Sequence, residues 1–156
     1  MRKKPFSNVH PNDPQYAFNS AVRYLSLRAR STKEIEDYLA KKGFVDNVIP
    51  QTILRLTELN FLNDEEFGRS FARSRQQYKG KSKYFISYEL KQKGINDDII
   101  STVSKNAQDD FITAKAFVER KKRIYSHLDK LQFKEKMMRL LQSRGFSFDV
   151  IKKAVE

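Results

Sequence analysis

At 156 residues the chain is long enough for one ordinary domain or a short array of small ones. It contains no cysteine, which excludes disulfides and thiolate metal sites, and its formal net charge of +12, from 31 Lys+Arg against 19 Asp+Glu, favours a polyanionic partner, nucleic acid or an acidic protein surface. The basic start Met1-Arg2-Lys3-Lys4 runs into Pro5-Phe6-Ser7-Asn8 rather than an apolar stretch, and no apolar run reaches membrane-spanning length, so a soluble, cytoplasmic protein is expected.

Residues 1–11 read as a basic N-terminal tail, with three cations and no acid. Asn12-Asp13-Pro14-Gln15 then has the composition of a helix start, and a first helix is expected near 13–29. Ser31-Thr32-Lys33-Glu34 is a capping box that opens a second helix near 31–42. Leu39-Ala40-Lys41-Lys42-Gly43-Phe44 closes it. Glycine takes the left-handed C′ position without steric cost, the preceding cations face the negative end of the helix, and Phe44 packs back on Leu39. Asp46 or Asn47 caps a third helix near 47–59, with Pro50 in its first turn, where a missing N–H does least harm. Residues 12–60 thus form a three-helix repeat.

The same order recurs over 61–108. Asn63-Asp64-Glu65-Glu66 opens a helix near 64–79, and Ser82 opens one near 82–93. That helix closes on Leu90-Lys91-Gln92-Lys93-Gly94-Ile95, and Asn96 caps the next, near 97–107. A third repeat fills 109–156. Ala114 stands where the cap should recur, so Asp109 or Asp110 caps a helix near 110–125 instead. Helices near 131–144 and 148–155 follow, separated by Leu141-Gln142-Ser143-Arg144-Gly145-Phe146 and the cap Ser147. The glycines stand 51 residues apart in both intervals (43 to 94, 94 to 145), and each is followed at one offset by an apolar pair, Val48-Ile49, Ile99-Ile100 or Val150-Ile151. A fixed period is the signature of a repeat architecture. With no alternating β-branched run, the expected fold is all-α: three tandem three-helix repeats in an elongated, curved array that offers one long surface rather than a single pocket.

Charge is unevenly spread along that array. Residues 12–60 carry seven bases and six acids, residues 61–108 nine and six, and residues 109–156 twelve and seven. The densest basic stretch is Arg69, Arg73, Arg75, Lys79, Lys81, Lys83, Lys91 and Lys93, against the single acid Glu89. On a regular helix Phe67, Phe71, Ser74 and Tyr78 share an inward row, and Arg69, Arg73 and Gln76 a second row on another face. Two arginines at i, i+4 repel one another, which points to an anion supplied from outside. Arg69, Arg73, Arg75, Lys79, Lys81, Lys83 and Lys91 are therefore the candidate binding face, with Arg23, Arg28 and Arg30 of the first repeat as a weaker second group. Tyr78-Lys79-Gly80-Lys81-Ser82-Lys83-Tyr84 mixes aromatics with cations, a pattern that suits stacked bases and phosphates of a single strand, or else a turn whose tyrosines tuck into the core. Arg120-Lys121-Lys122-Arg123 spreads four cations around a helix, some of them exposed in any packing.

Enzymatic readings find little support. Gly80-Lys81-Ser82 lacks the first glycine of a phosphate-binding loop, since position 75 is Arg, and no strand precedes it. His10 and His127 stand apart, and Asp64-Glu65-Glu66 and Asp109-Asp110 sit where helix N-termini want acids. No catalytic residue, metal site or cofactor is expected.

The tandem unit with its recurring Lys/Arg-Gly-Phe/Ile phrase resembles the RecX family of regulatory proteins, which act on the RecA recombinase. Two further segments carry the likeness: Phe61-Leu62-Asn63-Asp64-Glu65-Glu66-Phe67 running into Phe71-Ala72-Arg73-Ser74-Arg75, and Gly80-Lys81 followed by Tyr88-Glu89-Leu90-Lys91-Gln92-Lys93-Gly94-Ile95. The likeness spans about residues 14–156. A monomer is expected, and the likeness implies an all-α, elongated and modular protein that binds RecA filaments on single-stranded DNA along the filament groove. There it inhibits ATP hydrolysis and strand exchange, and so modulates recombination, DNA repair and the SOS response. The rival expectation is a general DNA-binding helical module that acts without RecA.

Overall fold

The computed structural model describes residues 10–156; the Arg2-Lys3-Lys4 tail lies outside the described residues. Within them every regular element is helical, and no strand forms. The helices are α1 (Pro14–Leu25), α2 (Thr32–Lys41), α3 (Val48–Glu58), α4 (Asp64–Ser74), a π-turn (Arg75–Lys79), α5 (Lys83–Gln92), α6 (Asp97–Asn106), α7 (Asp110–Lys122), α8 (Lys130–Gln142) and α9 (Phe148–Val155). Two compact units divide the chain: the first runs to Phe67 and includes Lys93–Ile95, and the second holds Gly68–Gln92 and Asn96–Glu156.

In the first unit α1, α2 and α3 bury Ala17, Ala21, Ile35, Leu39, Phe44, Val48, Leu56 and Leu62 in one core. The capping box of α2 is complete: the Ser31 hydroxyl accepts from Glu34 N, and the Glu34 carboxylate accepts from Ser31 N. That hydroxyl also donates to the Lys93 carbonyl at 2.7 Å, while Asp64 accepts from Thr32 N. The glycine phrase folds as its composition dictates. Gly43, at φ +88°, donates to Ala40 O, and Phe44 N donates to Leu39 O. The end of α3 uses the same device with another residue. Asn60 sits at φ +58°, its N–H reaches Thr57 O, and Phe61 N reaches Leu56 O at 2.8 Å. Asparagine is the residue besides glycine that tolerates this conformation. α1 ends at Leu25, short of expectation, where the Ser26 hydroxyl bonds back to Arg23 O.

In the second unit α7, α8 and α9 bury Ala114, Phe117, Val118, Met137, Leu141, Phe146, Ile151 and Ala154. Asn96, Asp109 and Ser147 cap α6, α7 and α9 through their side chains. Of the two aspartates at the start of α7, Asp109 is the cap, accepting from Phe111 N and Ile112 N, while Asp110 accepts from Lys83 N at 2.9 Å and so holds the start of α5. Burial pushes the Asp110 pKa up, against that hydrogen bond and the Lys83 charge, which pull it down. α8 opens one residue earlier than expected on a second capping box, Asp129 with Gln132.

One expected feature is replaced. The helix over 64–79 is not regular: its last five residues form a π-turn, closed by Gly80 at φ +58°. A π-turn bonds i to i+5 and so shifts the facing of everything beyond it. Phe67 is buried and Phe71 half-buried, as the inward row requires, but Ser74 is exposed and Tyr78 is 72% exposed. Gln76, expected beside Arg69 and Arg73 on another face, is buried in their place.

Candidate functional site

The π-turn builds a groove in the second unit. Gln76 turns inward and its carboxamide clamps the main chain of Gln108, donating Nε2–H to the carbonyl at 2.7 Å and accepting from the amide at 3.0 Å. The Gln77 carbonyl accepts from a guanidinium N–H of Arg120. These ties fix α4 with its π-turn, the α6–α7 linker and α7 as the walls of a cavity of about 580 Å³. It is lined by the apolar or small residues Ala72, Val103, Ala107, Thr113 and Ala116 and by Arg69, Arg73, Arg120 and the amides Gln76, Gln77, Asn106 and Gln108. Arg69 also has a partner within the protein. Three guanidinium groups around one concavity, with amide side chains between them, make a positive field focused by low-dielectric walls. The planar guanidinium fork suits phosphate or carboxylate oxygens.

The other sequence-predicted residues are distributed differently. Arg75 is half-buried, stacks its guanidinium 4.3 Å over the Phe71 ring and pairs with Glu89 at 2.9 Å. Its charge is met inside the molecule by the one acid of the basic stretch. Lys81 lies 3.5 Å over the Phe85 ring, where burial chiefly lowers its pKa; Glu89 opposes that shift, while Arg144 and Arg75 reinforce it. Lys79 is exposed, and its carbonyl accepts from Arg144 Nε. Lys83 is half-buried at the first turn of α5, and Lys91 pairs with Asp97 at 3.2 Å on the surface. In the first unit Arg28 and Lys93 converge on the Glu34 carboxylate at 2.8 and 3.1 Å, with Arg30 at 4.0 Å. Burial alone would raise the Glu34 pKa, but hydrogen bonds from Ser31 N, Arg28 and Lys93 outweigh it and hold the carboxyl below its ordinary value. Arg30 is further occupied by Tyr24, 3.9 Å below it and stacked in turn on Tyr38. Arg23 is exposed in the last turn of α1.

The structure therefore brings Arg69 and Arg73 together in the groove, and adds Arg120, which the run Arg120-Lys121-Lys122-Arg123 left undistinguished from its neighbours. Lys122 pairs with Glu119 at 2.7 Å and Lys121 lies toward the Phe117 ring. A signal for Arg120 is present in the sequence: Thr113, Ala116 and Arg120 follow i, i+3, i+7, a row of small residues ending in a cation. The tyrosines around the Gly80 turn do not tuck into the core. Tyr78, Tyr84 and Tyr88 are 72%, 75% and 57% exposed. Among the described residues no group of His and carboxylate side chains is placed to hold a metal ion, and no helix is long and apolar enough to cross a membrane.

Comparison with known proteins adds a family to this geometry. Family models for the first, second and third three-helix domains of RecX match residues 17–56, 63–103 and 108–155. The chain is similar to the regulatory protein RecX of Bacillus velezensis, 36% identical over 93% of this chain and 56% of that protein, and to that of Bacillus subtilis, 38% identical over 89% and 53%. It spans about half the length of these Bacillus relatives. The regulatory protein RecX of Prosthecochloris aestuarii, 33% identical over 93% of this chain, is covered over 95% of its length. The crystal structure of RecX from Lactobacillus salivarius matches with a TM-score of 0.75 at 27% identity, covering 92% of this chain and 95% of that one.

Proposed function

The chain belongs to the RecX family of regulatory proteins, and on that premise we propose that it binds RecA filaments on single-stranded DNA and restrains ATP hydrolysis and strand exchange. The observation that carries the reading is the groove into which α4 and α7 bring Arg69, Arg73 and Arg120. A filament carrying DNA is a polyanion, and guanidinium groups held at fixed spacing recognise its phosphate or carboxylate oxygens in pairs. The site holds charge and shape but no nucleophile with a base, so the action is regulatory binding: the protein resists the subunit rearrangement that hydrolysis and exchange require. Arg69 and Arg73 supply the contact from α4, Arg120 from α7, and Lys79 and Lys83 extend the positive surface past the Gly80 turn.

The test is the ATPase of RecA on single-stranded DNA, with this protein added below the RecA concentration. A fall in rate together with shorter filaments is expected, and Arg69→Ala/Arg73→Ala weakens both. No change in rate or filament length refutes the proposal. The rival reading, a DNA-binding module acting without RecA, instead gives tight binding to bare strands with steep salt dependence and no effect on RecA.

A further inference from the structure

Helix α5 has an unusual outer face. Its aliphatic residues Ile86 and Leu90 are buried, and Glu89 turns aside to Arg75. What remains toward solvent is the row Tyr84, Tyr88, Lys91, at i, i+4, i+7. An outward row on a surface helix is ordinarily charged or polar. Here it is aromatic, and it contains no exposed Leu, Ile or Val. Just before the helix the π-turn has rotated a third tyrosine, Tyr78, out of the inward row and into solvent. Among the described residues the side chains of Tyr78 and Tyr84 make no hydrogen bond or ring contact, and Tyr88 makes one edge contact, to Phe85 at 6.3 Å. Between and beside the rings stand Lys79, Lys83 and Lys91.

We propose that the Tyr84–Tyr88 face of α5, together with Tyr78, is a stacking platform for the bases of a single-stranded nucleic acid, whose phosphates meet the neighbouring lysines. Three features of the face select this partner. Its apolar area is ring area, and every nucleobase has a face to lay on a ring, so binding is indifferent to sequence. Its charge is complementary to a phosphodiester chain: Lys79, Lys81 and Lys83 flank the rings, Glu89 is already neutralised by Arg75, and Lys91 is held by Asp97 in an exposed pair that a phosphate can replace. Neighbouring rings one helical turn apart also present successive platforms along one line, as an extended strand requires and a paired duplex, with its bases stacked inside, does not allow. The inference deepens the proposed function by having this chain touch the bases of the strand directly, rather than only a filament's protein surface.

The chain has no tryptophan and seven tyrosines, so its near-ultraviolet emission reports the tyrosines themselves. The experiment titrates the full chain, at low salt, with an oligothymidylate and with an abasic phosphodiester strand of the same length and charge. Tyrosine emission and the anisotropy of a labelled strand are followed together. The oligothymidylate should quench the emission and bind at least about ten-fold more tightly than the abasic strand, by the worth of ring–base stacking. Tyr84→Ala/Tyr88→Ala should bring the two affinities together, and Tyr84→Phe/Tyr88→Phe, which keeps the rings, should restore the preference. Because both positions are exposed, the thermal midpoints of all variants should match. Equal affinity for the two strands, an alanine variant that keeps the preference, or binding to neither strand overturns the proposal; the last outcome leaves an acidic protein surface as the partner of the basic face. A base preference in a protein that leaves the RecA ATPase unchanged keeps the platform and refutes the filament reading. A protein that lowers the ATPase with no base preference does the reverse.

Discussion

Replacing Gln76 by methionine tests whether the π-turn and its clamp hold the groove together. Methionine keeps the length and most of the volume of glutamine but can make neither bond to Gln108. Gln76 is 6% exposed, and the bonds it makes, at 2.7 and 3.0 Å, satisfy one main-chain donor and one main-chain acceptor. Stranding a buried polar group costs about 1–3 kcal/mol. Gln108 is itself exposed, so water reaches part of its backbone and the low end of that range applies to each group. The expected loss is about 2 kcal/mol, which for a chain of this size lowers the melting midpoint by roughly 4–8 °C. Urea denaturation measures the loss, and hydrogen exchange at the Gln108 amide should accelerate. Gln108→Ala is the control, because only its main chain is engaged, and it should stay within about 0.5 kcal/mol of the parent. A Gln76→Met protein as stable as the parent, with the Gln108 amide still protected, would refute the clamp as the tie between the π-turn and the α6–α7 linker.

The remaining predictions address the caps, the charge hub and the groove. Gly43→Ala should cost about 1–2 kcal/mol, the strain of an L residue at φ +88°. Gly94→Ala should cost more, since its added methyl group would lie 2.6 Å from Lys33 Cβ; equal urea midpoints for the two variants would rule out that contact. Glu34→Gln should alter the acid limb of stability. The folded pKa of Glu34 lies below 4.5, so its contribution is fully present above that pH and fades as the pH falls through the lowered folded value. The gap between parent and variant in thermal melts should therefore be widest near neutrality and close in acid. Arg73→Ala should flatten the log–log salt dependence of single-strand binding by about 0.7 if that guanidinium meets one phosphate; an unchanged slope places Arg73 off the strand.

Helix order and most helix starts were legible because the signals are local. Ser31, Asn96, Asp109 and Ser147 each cap a helix with a side chain whose reach spans only two or three residues. Gly43, Gly94 and Gly145 all adopt positive φ, which three copies of one phrase announce. The site was legible only in part. Arg69 and Arg73 share a face because i, i+4 spacing survives in any α-helix, and their stretch is ordinary α-helix. Gln76 is buried and Arg75 half-buried, against expectation, because the wider π-turn, invisible to a period of 3.6, begins after Ser74. The fates of Arg28, Arg30 and Lys81 depend on Glu34, Tyr24 and Phe85, partners chosen by tertiary packing. Composition counts such cations as surface charge, whereas packing spends several of them on internal carboxylates and rings.

The π-turn also bears on how this chain tolerates changes of length. Removing one residue from 75–79 would let α4 continue as an unbroken helix and swing Tyr78 back beneath the surface, while Phe67 and Ala72 upstream keep their burial. In this segment a single-codon deletion would re-aim the exterior and would also turn Gln76 away from the Gln108 main chain it clamps. A point substitution, which changes one side chain and leaves every other facing alone, has no equivalent effect.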